Sequence, residues 1–370
     1  MIIGIPKEIK NHEYRVGMIP SSVQELTVRN HQVIVETNAG IGIGYSDADY
    51  EAAGATIANS AQAVFDQAEM IVKVKEPQAE ERQKLNEGHL LFTYLHLAPD
   101  VEQTKDLVDS KATCIAYETI TSDNGQLPLL VPMSEVAGRM SIQAGAHCLE
   151  KTQGGCGILL GGVPGVKPAK VVIVGGGIVG SHAAQMALGM GANVTLLDNN
   201  LDSLRRLNQQ FGTAITLIHS NKKSLKDQVL TADLVVGSVL IPGAAAPKLV
   251  TADMIKQMKP GSAVVDVAID QGGCFETSKA TTHQDPIYIV DDVVHYCVAN
   301  MPGAAARTSS QALNNATLPY IIKLADNGWK KTLKQDKHFL NGLNVCAGHV
   351  TNEAVASNLG YEYVNANTML

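Results

Sequence analysis

The stretch Lys170–Val174, rich in β-branched residues, runs directly into Gly175-Gly176-Gly177-Ile178-Val179-Gly180. β-Branched side chains favour a pleated strand and glycines end it, so the junction predicts a strand, a tight turn and a helix over 178–190. Gly175, Gly177 and Gly180 stand in a GxGxxG frame. In that frame the first glycine permits the turn, the second lets a pyrophosphate approach the backbone, and the third lets helix and strand pack closely. The helix N-terminus then offers unpaired N–H groups and the positive end of its dipole to the phosphates. A second extended run, Asn193–Asp198, ends in an acid at about the 20-residue spacing expected of a ribose reader. Asp198 would accept from both ribose hydroxyls and repel a 2′-phosphate, which points to NAD over NADP. Arg205 and Arg206 keep NADP open, although a solvated charged helix face is their plainer role. A glycine turn that holds another nucleoside ligand, or none, is the alternative reading of the same residues.

Around this unit, short apolar runs alternate with helix-like stretches, which predicts an α/β chain with parallel sheets and crossover helices. Strands are expected at 2–5, 33–36, 70–75, 90–95 and 114–117, then at 170–174, 193–198, 214–219, 233–239, 262–267 and 295–299. The second set of six matches two mononucleotide-binding halves. The remainder from about Arg307 reads as mainly helical, and apolar helical segments at 133–150 and 308–325 bracket the central unit. The expected architecture is therefore two doubly wound domains. A Rossmann domain over 131–306 is inserted into a discontinuous substrate domain of 1–130 and 307–370.

At 370 residues the chain is long enough for two cores. Hydrophobic residues make up 45% and charged residues 18%, with a net charge of −7 and scattered Lys and Arg, so no basic stripe suits a nucleic acid. Apolar runs fall short of the roughly 20 residues of a membrane helix, and the N-terminus lacks a secretory h-region, so a cytoplasmic protein is expected. Six cysteines show neither a CxxC pair nor zinc-like spacing, and no metal site is expected.

Ligands of doubly wound domains bind beyond the carboxyl ends of the strands, which directs attention to polar residues there. Asp270 follows the 262–267 run, and Asn300 the 295–299 run; a turn-forming side chain is the plainer role of each. In the first domain Lys75 and His96 end apolar runs, and Arg15 follows the first strand. An arginine can clamp a carboxylate bidentately while a lysine adds a point charge, and a histidine titrates where a proton carrier should. These residues read as sites for a small anionic substrate of an NAD-dependent dehydrogenase, or as surface charges and a hydrogen-bonded histidine.

The same residues carry a family resemblance. Gly4-Ile-Pro-Lys-Glu with Arg15-Val, Val72-Lys-Val-Lys-Glu-Pro77, Phe92-Thr-Tyr-Leu-His-Leu-Ala98 and Pro132-Met-Ser-Glu-Val-Ala-Gly-Arg139 resemble segments of the alanine dehydrogenase and transhydrogenase NAD-binding subunit family. So do Gly175–Gly180, Val265-Asp-Val-Ala-Ile-Asp-Gln-Gly-Gly273 and His295-Tyr-Cys-Val-Ala-Asn-Met-Pro-Gly303, and the likeness runs the full length. The resemblance implies NAD-dependent interconversion of L-alanine with pyruvate and ammonium by a homo-oligomer, commonly a hexamer. It implies that Arg15 and Lys75 hold the substrate, that His96 and Asp270 manage protons with Lys75 polarising the carbonyl, and that Tyr94, Met133, Asn300 and Met301 line the pocket. For the cofactor it implies Ser134, Gly175, Gly177, Ile178, Val179, Gly180, Asp198, Ser220, Val239, Leu240, Val267, Ala268, Ile269, Asp270, Lys279, Val298, Ala299, Asn300 and Met301. Position 203 is serine where relatives carry a basic residue, so one adenosine-side contact would be missing. A transhydrogenase subunit, a saccharopine dehydrogenase and a non-catalytic NADH-binding protein are the alternatives.

Overall fold

The computed structural model describes residues 1–239 and 246–370. It divides into two compact units, Met1–Met133 with Ala305–Leu370, and Ser134–Ala304. In the first unit β1 (Ile2–Ile5), β2 (Gln32–Glu36), β3 (Thr56–Ala58), β4 (Met70–Val72), β5 (Leu90–Thr93) and β6 (Thr113–Ala116) pair in parallel. Their spatial order is β6-β5-β4-β1-β2-β3. That is the doubly wound order, in which the chain steps outward from β1 in one direction, returns, and steps outward in the other.

The second unit repeats this order with β7 (Lys170–Val174), β8 (Asn193–Asp198), β9 (Thr216–His219), β10 (Leu234–Gly237), β11 (Ala263–Asp266), β12 (Ile287–Val290) and β13 (Val293–Tyr296). The sheet runs β12-β13-β11-β10-β7-β8-β9, and only β12, at its edge, is antiparallel. β14 (Leu343–Cys346) and β15 (His349–Val350) then return to the first sheet, β14 pairing antiparallel with β6. The remainder is mainly helical, as expected, and these two short strands are the addition to it. A four-residue run such as Leu343–Cys346 carries no periodicity of its own and acquires strand character by pairing with β6. β3 and β12 are likewise strands the sequence pattern does not announce.

Away from the sheet edges, strand interiors are buried on both faces, as crossover helices require. In the first unit Ile71, Leu91 and Cys114 pack with Val64, Phe65 and Leu107 from flanking helices; in the second, Val171, Ile173 and Val236 pack with Ala183, Ala184 and Ala187. The alanines let the helix Ile178–Gly189 lie close to its sheet. Among the described residues no helix is long and apolar enough to cross a membrane.

The strands also end earlier than the sequence suggests. β4 stops at Val72 rather than 75, and β5 at Thr93 rather than 95. The cause is side-chain competition for the backbone. A Glu8 carboxylate oxygen accepts from the N–H groups of Val74 (2.7 Å) and Lys75 (3.3 Å), and Glu118 accepts from those of Leu95 and His96. β11 ends at Asp266 for the same reason, its carboxylate taking the N–H of Ala268. Asp270 and Asn300 therefore lie four residues beyond their strands, not at the strand exits.

Candidate active site

In the first unit the candidate substrate residues follow the carboxyl ends of β1, β4 and β5. Arg15 is buried, and its guanidinium is gripped along one edge by Glu13, Nε to Oε1 at 2.7 Å and Nη2 to Oε2 at 2.5 Å. Burial works against the guanidinium charge, but the Glu13 hydrogen bonds and charge prevail and hold the cation more firmly than in water. Nη1 meets the Met133 sulfur at 3.1 Å, so these two candidates are brought together. The loop that carries Arg15 is braced from the C-terminal helix Ala306–Asn327. Asn314 accepts from the Ile19 N–H at 2.8 Å and donates to the Gly17 carbonyl at 3.2 Å, and the Ser310 hydroxyl accepts from the Val16 N–H at 3.3 Å.

Lys75 is half-buried, and its carbonyl accepts from the Thr93 hydroxyl at 3.0 Å. Two positions earlier, Lys73 is wholly buried between Glu8 (3.1 Å) and Glu81 (2.6 Å). Burial opposes its charge, yet the two carboxylates outweigh burial and shift the ammonium upward. Tyr94 is buried, its hydroxyl donates to the Leu129 carbonyl, and burial raises its phenol above the ordinary value, so it stays protonated. His96 is exposed and stacks on Tyr94 with ring centroids 5.8 Å apart and planes 11° from parallel.

In the second unit the glycine turn has the geometry its spacing predicts. Gly175 adopts φ +104°, which a residue with a Cβ rarely tolerates. A Cβ on Gly180 would overlap the Gly175 carbonyl, whereas one on Gly177 would meet nothing within 4 Å. Gly177 is also the N-cap of the helix Ile178–Gly189 and places no side chain over its first N–H groups, which leaves an open cradle at a helix N-terminus. Asp198 accepts from the Gly176 N–H at 2.6 Å and from the Asn200 N–H at 2.7 Å, so its carboxylate is tied to the turn. Arg206, expected on a solvated helix face, instead donates to the Gly176 carbonyl at 2.7 Å; Arg205 pairs with Asp202 on the surface.

The other cofactor candidates follow the same sheet edge. Ser220 donates its N–H to the Asp198 carbonyl and Val267 to that of Gly237, and Val239 is half-buried. Leu240 lies outside the described residues. Ala268 and Ile269 are buried, while Asp270 is exposed on the turn Ile269–Gln271. That turn is organised by the buried Asp266, which accepts from the N–H groups of Cys274 (2.8 Å) and Phe275 (3.3 Å) and from the Ser278 hydroxyl. Val298 and Ala299 lie along the 281 segment, Asn300 adopts φ +65°, and Met301 is buried. Ser134 is half-buried near the start of Ser134–Ala304, and Lys279 is exposed with its N–H donated to the Tyr288 hydroxyl.

Two family profiles cover this architecture. The alanine dehydrogenase/PNT N-terminal domain matches residues 4–137, and the alanine dehydrogenase/PNT C-terminal domain matches 141–353. The chain belongs to the alanine dehydrogenase/PNT family. Within it, an alanine dehydrogenase of Halomonas elongata is 60% identical over 370 residues, covering all of both chains. A solved L-alanine dehydrogenase superposes with a TM-score of 0.95 at 52% identity, covering 97% of this chain and 99% of that one. A transhydrogenase from Sinorhizobium meliloti superposes with a TM-score of 0.83 at 24% identity, covering 95% and 100%, a likeness of fold.

Sequence reasoning missed Glu8, Glu13, Glu118 and Asp266 as parts of the site. Glu8 and Glu118 act on backbone far away in the chain, and Glu13 on the neighbouring Arg15, and a glutamate in an aperiodic segment reads as a surface charge. Only for Asp266 was a signal present, since an acid inside the apolar run Ala263–Asp266 has no place in a core unless it is fully hydrogen-bonded.

Proposed function

We propose that this chain oxidatively deaminates L-alanine to pyruvate and ammonium with NAD, and runs the reverse reductive amination. The observation that carries the reading is the buried Arg15, kept cationic by Glu13 at the carboxyl edge of the first sheet, with Lys75 and His96 on loops leaving the same edge. A buried guanidinium held along one edge is suited to grip a small carboxylate.

The residues of the second unit fit a dinucleotide. The space over Gly177 and the uncapped N-terminus of Ile178–Gly189 suit a pyrophosphate, and Asp198, hydrogen-bonded to the turn, would accept from the ribose and disfavour a 2′-phosphate. When bound, the nicotinamide supplies the two-electron exchange at the alanine Cα. The chain's own residues do the rest. Arg15 holds the substrate carboxylate, and Lys75 polarises the carbonyl oxygen as negative charge develops on it. His96 takes a proton at an imidazole nitrogen from the water that adds to the oxidised Cα and returns it to the departing nitrogen, with Asp270 as a second acid–base group. Tyr94 and Met133 would shape the substrate side of the first unit, and Asn300 and Met301 would be the cofactor-side residues of the second.

Absorbance at the NADH band tests this directly. Alanine plus NAD should generate NADH, and pyruvate, ammonium and NADH should consume it; NADPH in place of NADH should be a poor substrate. Exchange between NADH and an oxidised NADP analogue without any amino acid, and no alanine turnover, would instead establish the transhydrogenase reading. Arg15→Ala should raise the KM for pyruvate roughly 30-fold or more while NADH affinity is unchanged.

A further inference from the structure

We infer that Glu118 is a positioning residue for His96, holding the peptide on which the imidazole is mounted in a conformation it would otherwise leave. The inference rests on the reading of His96 as the proton carrier.

His96 has φ +51°, in the left-handed region that only glycine enters freely. It is also exposed, so packing around its own side chain does not impose that geometry. The constraint comes from the peptide that precedes it. Glu118 stands in the turn Tyr117–Thr119 just past β6, and β5 lies beside β6 with Thr93 opposite Ala116. From there its Oε1 accepts the His96 N–H at 2.6 Å and the Leu95 N–H at 3.0 Å, and Oε2 reaches the latter at 3.2 Å. The carbonyl of the Leu95–His96 peptide is held from the other side by the buried Gln103, whose amide donates to it at 2.6 Å. One peptide plane is thus fixed at its N–H by a carboxylate and at its C=O by an amide, and the imidazole above it lies flat against Tyr94.

Such double anchoring exceeds what a turn requires. An exposed N–H can bond to water, and an unconstrained histidine relaxes toward negative φ, carrying the ring away from Tyr94. A proton carrier misplaced by about 1 Å loses much of its effect while substrate and cofactor binding stay intact. Glu118 therefore belongs to turnover rather than affinity.

A double-mutant cycle in the full-length enzyme tests the assignment. Glu118→Ala should lower kcat roughly tenfold or more, with the KM for pyruvate and the Kd for NADH within about twofold of wild type. Glu118→Gln should recover most of the loss, because its amide oxygen can replace Oε1. In a His96→Ala background, Glu118→Ala should cost no further activity. Should Glu118→Ala fail to fold, Glu118→Asp, which retracts the oxygens by one methylene, carries the same cycle. A kcat loss of equal factor with and without His96 overturns the assignment, as does a folded Glu118→Ala enzyme with full kcat. Undiminished kcat in His96→Ala overturns the reading of His96 itself, whereas an inactive His96→Ala beside a fully active Glu118→Ala removes Glu118 alone.

Discussion

Lys73 and Lys75 are separated by one residue and share an apolar run, yet Lys73 is fully buried and Lys75 half-buried. Lys75 stands out in the sequence as a charge at the end of an apolar run, whereas the role of Lys73 is hidden because its partner Glu8 lies elsewhere in the chain. Glu8 precedes Lys73 by 65 residues. With both carboxylates present the buried ammonium stays charged, while burial lifts the Glu8 carboxyl above its ordinary value near 4.5 despite the attraction of Lys73. Removing one member of a buried ionic cluster is costly because the others remain. Lys73→Met should therefore destabilise the fold by roughly 3–5 kcal/mol near neutral pH. A carboxyl that holds its proton more tightly when folded contributes stability fully present below its ordinary value and lost as pH rises through the folded one. Without Lys73 that folded value moves further up, so the deficit should shrink as pH falls toward 5. Urea unfolding of both proteins at pH 8 and pH 5 measures it, and a deficit independent of pH would show that the carboxylates are not its source.

At the scale of elements, the glycine turn was the most legible feature, because each glycine answers a separate steric demand. Those demands predict different outcomes for one added methyl group. Gly177→Ala should fold with little change in melting temperature, since a Cβ there meets nothing within 4 Å, but should weaken NADH binding roughly tenfold by occupying the phosphate cradle. Gly180→Ala should lower the melting temperature itself, because its Cβ would overlap the Gly175 carbonyl and push the helix off β7. Calorimetric titration and circular-dichroism melts separate the two, and equal melting temperatures would contradict the packing argument. Buried parallel strands were legible as apolar runs, but their ends were not. Glu8 and Glu118 cut pairing short through contacts that no local window contains. Short partners such as β3, β14 and β15 escaped for the complementary reason that pairing, rather than periodicity, makes them strands.

Across the whole molecule, residues from opposite ends of the sequence complete the first unit. Ile19 and Asn314, 295 positions apart, share a hydrogen bond that braces the loop carrying Arg15. Asn314→Ala leaves the Ile19 N–H and Gly17 carbonyl without that partner, so it should cost about 1–3 kcal/mol of stability and raise the KM for pyruvate, with NADH affinity retained. A parallel rise in the Kd for NADH would mean that the damage is not confined to this loop. Cofactor binding should also register in global stability: NADH at about 100 times its Kd should add roughly 2.7 kcal/mol, and equal NADPH clearly less. Thermal-shift curves with both nucleotides check this, and equal shifts would show that Asp198 does not discriminate between them.

The return of β14 to pair with β6 bears on how the protein is made. A ribosome finishes Ser134–Ala304 while the strand that closes the first sheet is still untranslated, so the nucleotide unit can fold before its companion is complete. A message broken after codon 304 would thus yield a polypeptide with every strand of the second sheet but without β14 or the helix that steadies Arg15.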